Sequence, residues 1–254
     1  MRITLLGTGT SNGVPQIGCD CATCTSADPK DKRLRCSALV ENDATRILID
    51  CGPDFRQQVL ANGFKKIDAI FITHEHYDHV GGLDDLRPFS LFGDINVYAE
   101  DYCAEHLMQR IPYCFTPPEK RYPGVPAISL EHMEPHVPVK VGSIEVVPIR
   151  IMHGKLPIVG FRIGNLVYIT DMKSMPDEEW NYLENVDILI VNALHHKSHP
   201  SHQTVEDAIA FAQKVGARET YFIHMSHYVL PHEVEEKLLP PHIHFGYDGL
   251  TLNI

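Results

Sequence analysis

The segment THEHYDHVGG, residues 73–82, places His74, His76, Asp78 and His79 within a span of six residues. Side chains two apart in an extended segment point the same way, so His74 and His76 share one side, and a turn behind them aims Asp78 and His79 at a second point. Nitrogen and oxygen donors in that arrangement suit two adjacent divalent ions, whereas one isolated histidine would read only as polar surface. A paired centre needs more donors than one loop supplies. Three candidates each follow an apolar run: His153 after VVPIRIM, Asp171 after LVYIT and His224 after TYFI. Imidazole with carboxylate suits zinc, manganese or iron. Two such ions turn a bridging water into hydroxide near neutral pH and neutralise charge on the attacked group, which points to hydrolysis and favours a phosphoester.

A second set of donors lies near the start of the chain. GCDCATC carries Cys19, Cys21 and Cys24, three of the four donors of a tetrahedral structural zinc. In HMSH, His227 follows His224 by three residues, so the turn that delivers one can present the other to a neighbouring site as the fourth donor. The plain alternative, three reduced thiols at the surface, is an oxidation liability. Cys36, Cys51, Cys103 and Cys114 lack such spacing and read as small hydrophobes.

Positioning these residues calls for strands with abrupt ends. β-Branched runs predict strands at 2–6, 37–41, 46–50, 67–73 and 95–99, with a turn at Asn42-Asp43, and again at 144–152, 158–163, 166–170, 188–191 and 220–223. Helical spacing is clearest at 205–215 and fits 55–61 and 104–110, while Pro112 to Pro126 reads as a long irregular excursion of the kind that forms active-site lids. At 254 residues and 44% hydrophobic composition, one globular domain over 1–254 is expected, with a zinc-binding loop at 18–36. The odd total of seven cysteines argues against a disulfide framework, and neither a signal peptide nor a membrane span is evident, so a cytoplasmic protein without a membrane partner is expected. A net charge of −11 disfavours loose binding to nucleic acid. A homodimer stays open.

HEHYDH, followed by His153, Asp171 and His224, resembles the metallo-β-lactamase-fold hydrolases, as do the opening strand with Gly7-Thr8-Gly9-Thr10 and the LIDCG segment. The resemblance implies an α/β (α+β) class protein, a four-layer αββα metallo-β-lactamase sandwich with the site at one edge. It implies His74, His76 and His153 on one metal, Asp78, His79 and His224 on the other, and Asp171 bridging them, the two ions being zinc or manganese. GCDCATC and HMSH together resemble the accessory phosphodiesterases of the carbon-phosphorus lyase pathway, which hydrolyse a cyclic ribosyl phosphate and carry a structural zinc. HPSHQTVEDAI matches that branch too and implies that His202, opening a helix, hydrogen bonds the substrate phosphate and protonates the leaving oxygen, with Asp78 beside it in the centre.

The substrate so implied is a small cyclic phosphodiester such as phosphoribosyl 1,2-cyclic phosphate. Two alternatives stand beside it. A transfer-RNA 3′-processing endonuclease shares the ligand order, although the acidic charge and the lack of a basic, glycine-rich arm argue against it. The other is a metal-binding protein without activity. For specificity, Lys120 and Arg121 within 113–122 read first as a solvated charge pair and second as candidates for a second phosphate, and the loop 195–201 is the other candidate segment.

Overall fold

The computed structural model describes residues 1–254. Six strands come first: β1 (Arg2–Gly7), β2 (Ser37–Glu41), β3 (Arg46–Ile49), β4 (Ala69–Phe71), β5 (Ile95–Ala99) and β6 (Ile128–His132). Seven follow: β7 (Val139–Val141), β8 (Ile144–His153), β9 (Leu156–Ile163), β10 (Leu166–Ile169), β11 (Ile188–Asn192), β12 (Glu219–Ile223) and β13 (Ile243–Phe245). The chain closes with β14 (Thr251–Asn253), which returns to pair antiparallel with β1. Two seven-stranded sheets result, ordered β14-β1-β2-β3-β4-β5-β6 and β13-β12-β11-β10-β9-β8-β7.

Alternation along the strands explains why the sheets stack. In β3, Ile47 and Ile49 enter the core between the sheets while Leu48 faces outward, and in β10 Leu166 and Tyr168 face inward while Val167 and Ile169 face outward. A strand apolar on both sides must be covered on both sides. Helices do this: α1 (Ala22–Thr25) lies in the cysteine loop, and α2 (Phe55–Asn62), α3 (Tyr77–Val80) and α4 (Asp101–Arg110) follow strands of the first sheet. Phe55 of α2, Cys103 and Leu107 of α4 and the 3-10 segment Leu83–Phe92 pack on its outer face. α5 (Val205–Val215) buries Val205, Ala208, Phe211 and Ala212 on the outer face of the second sheet, and the short α6 (His232–Glu235) follows β12. Helix, sheet, sheet and helix make four layers, as the resemblance implied. No helix is long and apolar enough to cross a membrane.

The interior strands lie within a residue or two of their expected positions, except β4, whose pairing covers only Ala69–Phe71 of the run 67–73. β6, β7, β13 and β14 were not expected. The helix assigned to His202 starts later: Thr204 caps it, accepting from the Asp207 N–H at 3.0 Å while the Asp207 carboxylate accepts from the Thr204 N–H at 3.2 Å. His202 precedes this cap by two residues. The excursion 112–126 contains two 3-10 turns, Pro112–Phe115 and Pro118–Lys120.

Candidate metal centre

Three strands of the sandwich end alike. Asp50 after β3, Asp171 after β10 and His224 after β12 each have φ of 58°. Such left-handed residues cost about 1–3 kcal/mol when they are not glycine, a strain usually found where function needs the side chain redirected. Here all three side chains turn into one buried space at the edge of the sheets, each residue being 2% exposed or less.

The loop after β4 enters the same space. His74 Nε2 lies 3.0 Å from His76 Nδ1, while Glu75 between them points away toward His106. His76 then precedes α3, whose first turn carries Asp78 and His79. His79 Nε2 is 3.3 Å from Asp78 Oδ2 and 3.1 Å from Asp171 Oδ2, and His224 Nε2 is 3.1 Å from Asp171 Oδ1. His153 comes from the tight β8–β9 hairpin, where Gly154 at φ 62° approaches Ser201 and a Cβ would stand 3.3 Å from that side chain. His153 Nδ1 donates to the Ser201 carbonyl at 2.9 Å.

Donor atoms within 4.8 Å of one another fall into overlapping groups: His74, His76 and His153; His74, His79 and Asp171; Asp78, His79 and His224; and His153, Asp171 and His202. The chemistry of this set fits divalent cations. His79 Nε2 and both ring nitrogens of His224 are buried, and although the two Nε2 atoms face carboxylate oxygens, none of the three makes an aligned hydrogen bond, whereas buried polar atoms are normally paired. Burial would push His79 down, but Asp78, Asp50 and Asp171 hold it well above the usual histidine range. Burial would raise Asp171, yet His224 and His79 hold it well below the usual carboxylate range. Burial keeps His74 low, hence neutral and able to offer a lone pair.

Asp50 is a member of this cluster that donor spacing did not single out. It accepts from His79 Nδ1 at 2.6 Å, from the Thr73 N–H at 2.8 Å and from the Thr73 hydroxyl, whose oxygen receives His74 Nδ1 at 3.0 Å. One carboxylate thus orients two imidazoles and keeps their Nε2 atoms facing the centre. Its signal was present: RILID repeats the apolar-strand-then-aspartate pattern of LVYITD. Asp50→Ala is expected to weaken metal retention about 10–100-fold, measured as metal content after dialysis against graded chelator, with Asp50→Asn less affected. Retention equal to the parent protein would remove Asp50 from this role.

The cysteine trio meets His227 as its spacing suggested. Cys19 Sγ and Cys21 Sγ lie 3.0 and 3.5 Å from His227 Nδ1, and Cys24 Sγ completes a group within 4.8 Å. Soft thiolates with one imidazole in a closed group fit a structural zinc. Thr23 Oγ1 donates to the Val229 carbonyl at 2.7 Å, fastening α1 to the same turn.

His202 is buried, with its ring 4.9 Å from that of His224 and 4.6 Å from that of His153. Its Nδ1 is 3.7 Å from Asp171 Oδ1 and unpaired. A cavity of about 480 Å³ lies on the Glu75 side of His74, lined by Glu75, Glu100, Asp101 and Glu134 with Arg150 and Lys155, and His153, Asp171 and His202 do not line it. Residues 112–126 do not line it. Arg121 is committed elsewhere, its Nη1 and Nη2 forking onto Asp94 at 3.0 and 3.1 Å. That removes it as a free phosphate ligand.

A profile of the beta-lactamase superfamily domain matches residues 45–225. A protein of Porphyromonas gingivalis (strain ATCC BAA-308 / W83) that bears the name octanoyltransferase is 48% identical over 252 residues, covering 98% of this chain and 51% of that protein. The chain therefore spans about half the length of that relative. A solved structure described as a new diphosphatase from the PhnP family superposes with a TM-score of 0.92 at 41% identity, covering 99% of this chain and 97% of that one. Zinc-bound PqqB from Methylobacterium extorquens superposes with a TM-score of 0.82 over 100% of both chains, and at 19% identity this likeness concerns the fold alone.

Proposed function

We propose, from the premise that this chain belongs to the beta-lactamase superfamily and its PhnP-like branch, that it is a metal-dependent hydrolase of a small, cyclic phosphodiester. The observation that carries the reading is the convergence of two donor groups, His74 with His76 and His153, and Asp78 with His79 and His224, with Asp171 sharing donor sets with His74 and His79 and with His153. Two divalent ions held there, zinc or manganese, would activate a water and neutralise charge on phosphoryl oxygens. The chain's own residues do the rest. Asp50 and Thr73 fix the imidazole orientations, and Ser201 fixes His153. His202, neutral in the free protein because burial lowers it to about 2, presents an N–H to a phosphoryl or leaving oxygen.

The −11 charge favours a small substrate over a transfer-RNA precursor. Seven free cysteines suit a reducing cytoplasm. A diphosphate is the second reading, favoured by the description of the 41% identical structure as a diphosphatase. The test is a panel of phosphoribosyl 1,2-cyclic phosphate, nucleoside cyclic phosphates, a diphosphate diester and precursor transfer RNA, assayed with zinc and with manganese. Cyclic diesters are expected to be hydrolysed in a chelator-reversible manner. Turnover of the diphosphate alone selects the second reading, and no turnover with metal bound overturns both.

A further inference from the structure

The ring of His202 is the first in a series that leads out of the metal centre. His224 stacks on His202 at 4.9 Å, His202 faces His199 at 4.9 Å, His199 meets His195 edge-on at 6.1 Å, and His195 meets Tyr228 edge-on at 5.9 Å. The series passes from buried to open: His224, His202 and His195 are buried and His199 is half-buried, whereas Tyr228 is 64% exposed. Tyr228 stands four residues after the metal-centre histidine His224, hence within about 14 Å of it even if that segment were extended.

We propose that Tyr228 is the specificity-determining residue of this centre, stacking a planar heteroaromatic ring, such as a nucleobase, carried on the sugar of a cyclic phosphodiester. Three observations support this. An exposed tyrosine offers a large rigid face with few rotatable bonds, and this one is held firmly: its N–H donates to Ser226 Oγ at 3.3 Å, and its neighbours His227 and Val229 are buried. His227 packs on the ring at 4.1 Å with the planes tilted by 37°, and His195 meets it edge-on. Lys197 Nζ lies 5.8 Å from the Tyr228 ring centroid, an unpaired cation beside the place where a substrate anion would extend. An isolated exposed tyrosine needs no explanation. One joined to a metal centre by an unbroken series of rings does.

The inference rests on the phosphodiester reading for its substrate, so its test uses a binding measurement that does not depend on turnover. Adenosine monophosphate and ribose 5-phosphate share a sugar phosphate and differ in the base. Titration calorimetry on the zinc-loaded full chain is expected to show the former binding about 10-fold more tightly or better. That ratio should fall to near one in Tyr228→Ala and persist in Tyr228→Phe. Because Tyr228 adjoins His227, zinc content and melting temperature are checked on each variant. Tyr228→Leu, which keeps bulk without the π face, serves if alanine disturbs the zinc turn. A ratio near one in the parent protein, or a ratio that alanine and leucine leave intact, overturns the inference. Failure of every diester in the activity panel, with the binding ratio preserved, would overturn the phosphodiester reading and leave the stacking role standing.

Discussion

His202→Ala is expected to lower kcat on a cyclic diester by about 10²-fold or more, with metal content unchanged. The expectation follows from where the ring sits. It is buried between the rings of His153 and His224, yet it has no hydrogen-bond partner on Nδ1 and no strong contact that would make it structural. Its burial, together with nearby His224, pushes it down to about 2. At neutral pH it is therefore a neutral N–H donor in the free protein, with no titration of its own between pH 5.5 and 7.5. Parent and His202→Ala are expected to share the shape of their pH–kcat/KM profiles, which report the free protein, across that window and to differ in height. A limb near pH 6.5 present in the parent and missing in the variant would show that His202 acts from the imidazolium form instead. His202→Gln keeps an N–H donor and should recover part of the lost rate. Loss of a metal equivalent in His202→Ala would place His202 among the ligands, since its donor atom lies within 4.8 Å of those of His153 and Asp171. Unchanged turnover would remove it from the mechanism.

Interior strands were legible because each is apolar over most of its length and ends at a marked turn. The four strands that escaped notice, β6, β7, β13 and β14, are the four sheet edges. An edge strand pairs on one side only, so VKV, IHF and TLN need few apolar residues, and three residues show no period. The loop histidines were legible for the opposite reason: THEHYDH has a spacing that no ordinary turn requires. Asp50 was overlooked because its neighbours carry no second donor, and its role appears only when β3 lies beside the loop after β4. For Arg121 the reading as a surface charge pair holds, with Asp94 as the partner that sequence could not name. Charge in a loop says little until its partners are known.

Cys21→Ser should cost one equivalent of zinc and several degrees of melting temperature before it costs chemistry. Cys19, Cys21, Cys24 and His227 tie residues 19–24 to the turn after β12, some two hundred positions along the chain. Structural zinc contributes about 10–16 kcal/mol in peptides that fold only with metal. This domain has its own cores, so only the loop and the turn depend on it, and a loss of a fifth of that figure, about 2–3 kcal/mol, is a sensible scale. At about 2–4 °C per kcal/mol for a chain of this size, melting should fall by about 5–10 °C. Zinc-free protein also supplies a chemical readout. Burial would raise the Cys21 thiol, but the Cys24 N–H and the His227 side chain outweigh it and bring it to about 6, while burial lifts Cys24 to about 11. A group lowered to about 6 is mostly thiolate at pH 7.5, and one raised to about 11 is mostly thiol. Iodoacetamide should therefore label Cys21 ahead of Cys24 once zinc is chelated, and label neither quickly while zinc is bound. Equal zinc content and equal melting temperature in Cys21→Ser would break the link between the cysteine loop and the active-site turn. A variant that loses the zinc but keeps kcat/KM within about 10-fold would show that this metal holds the frame of the centre and takes no part in the reaction.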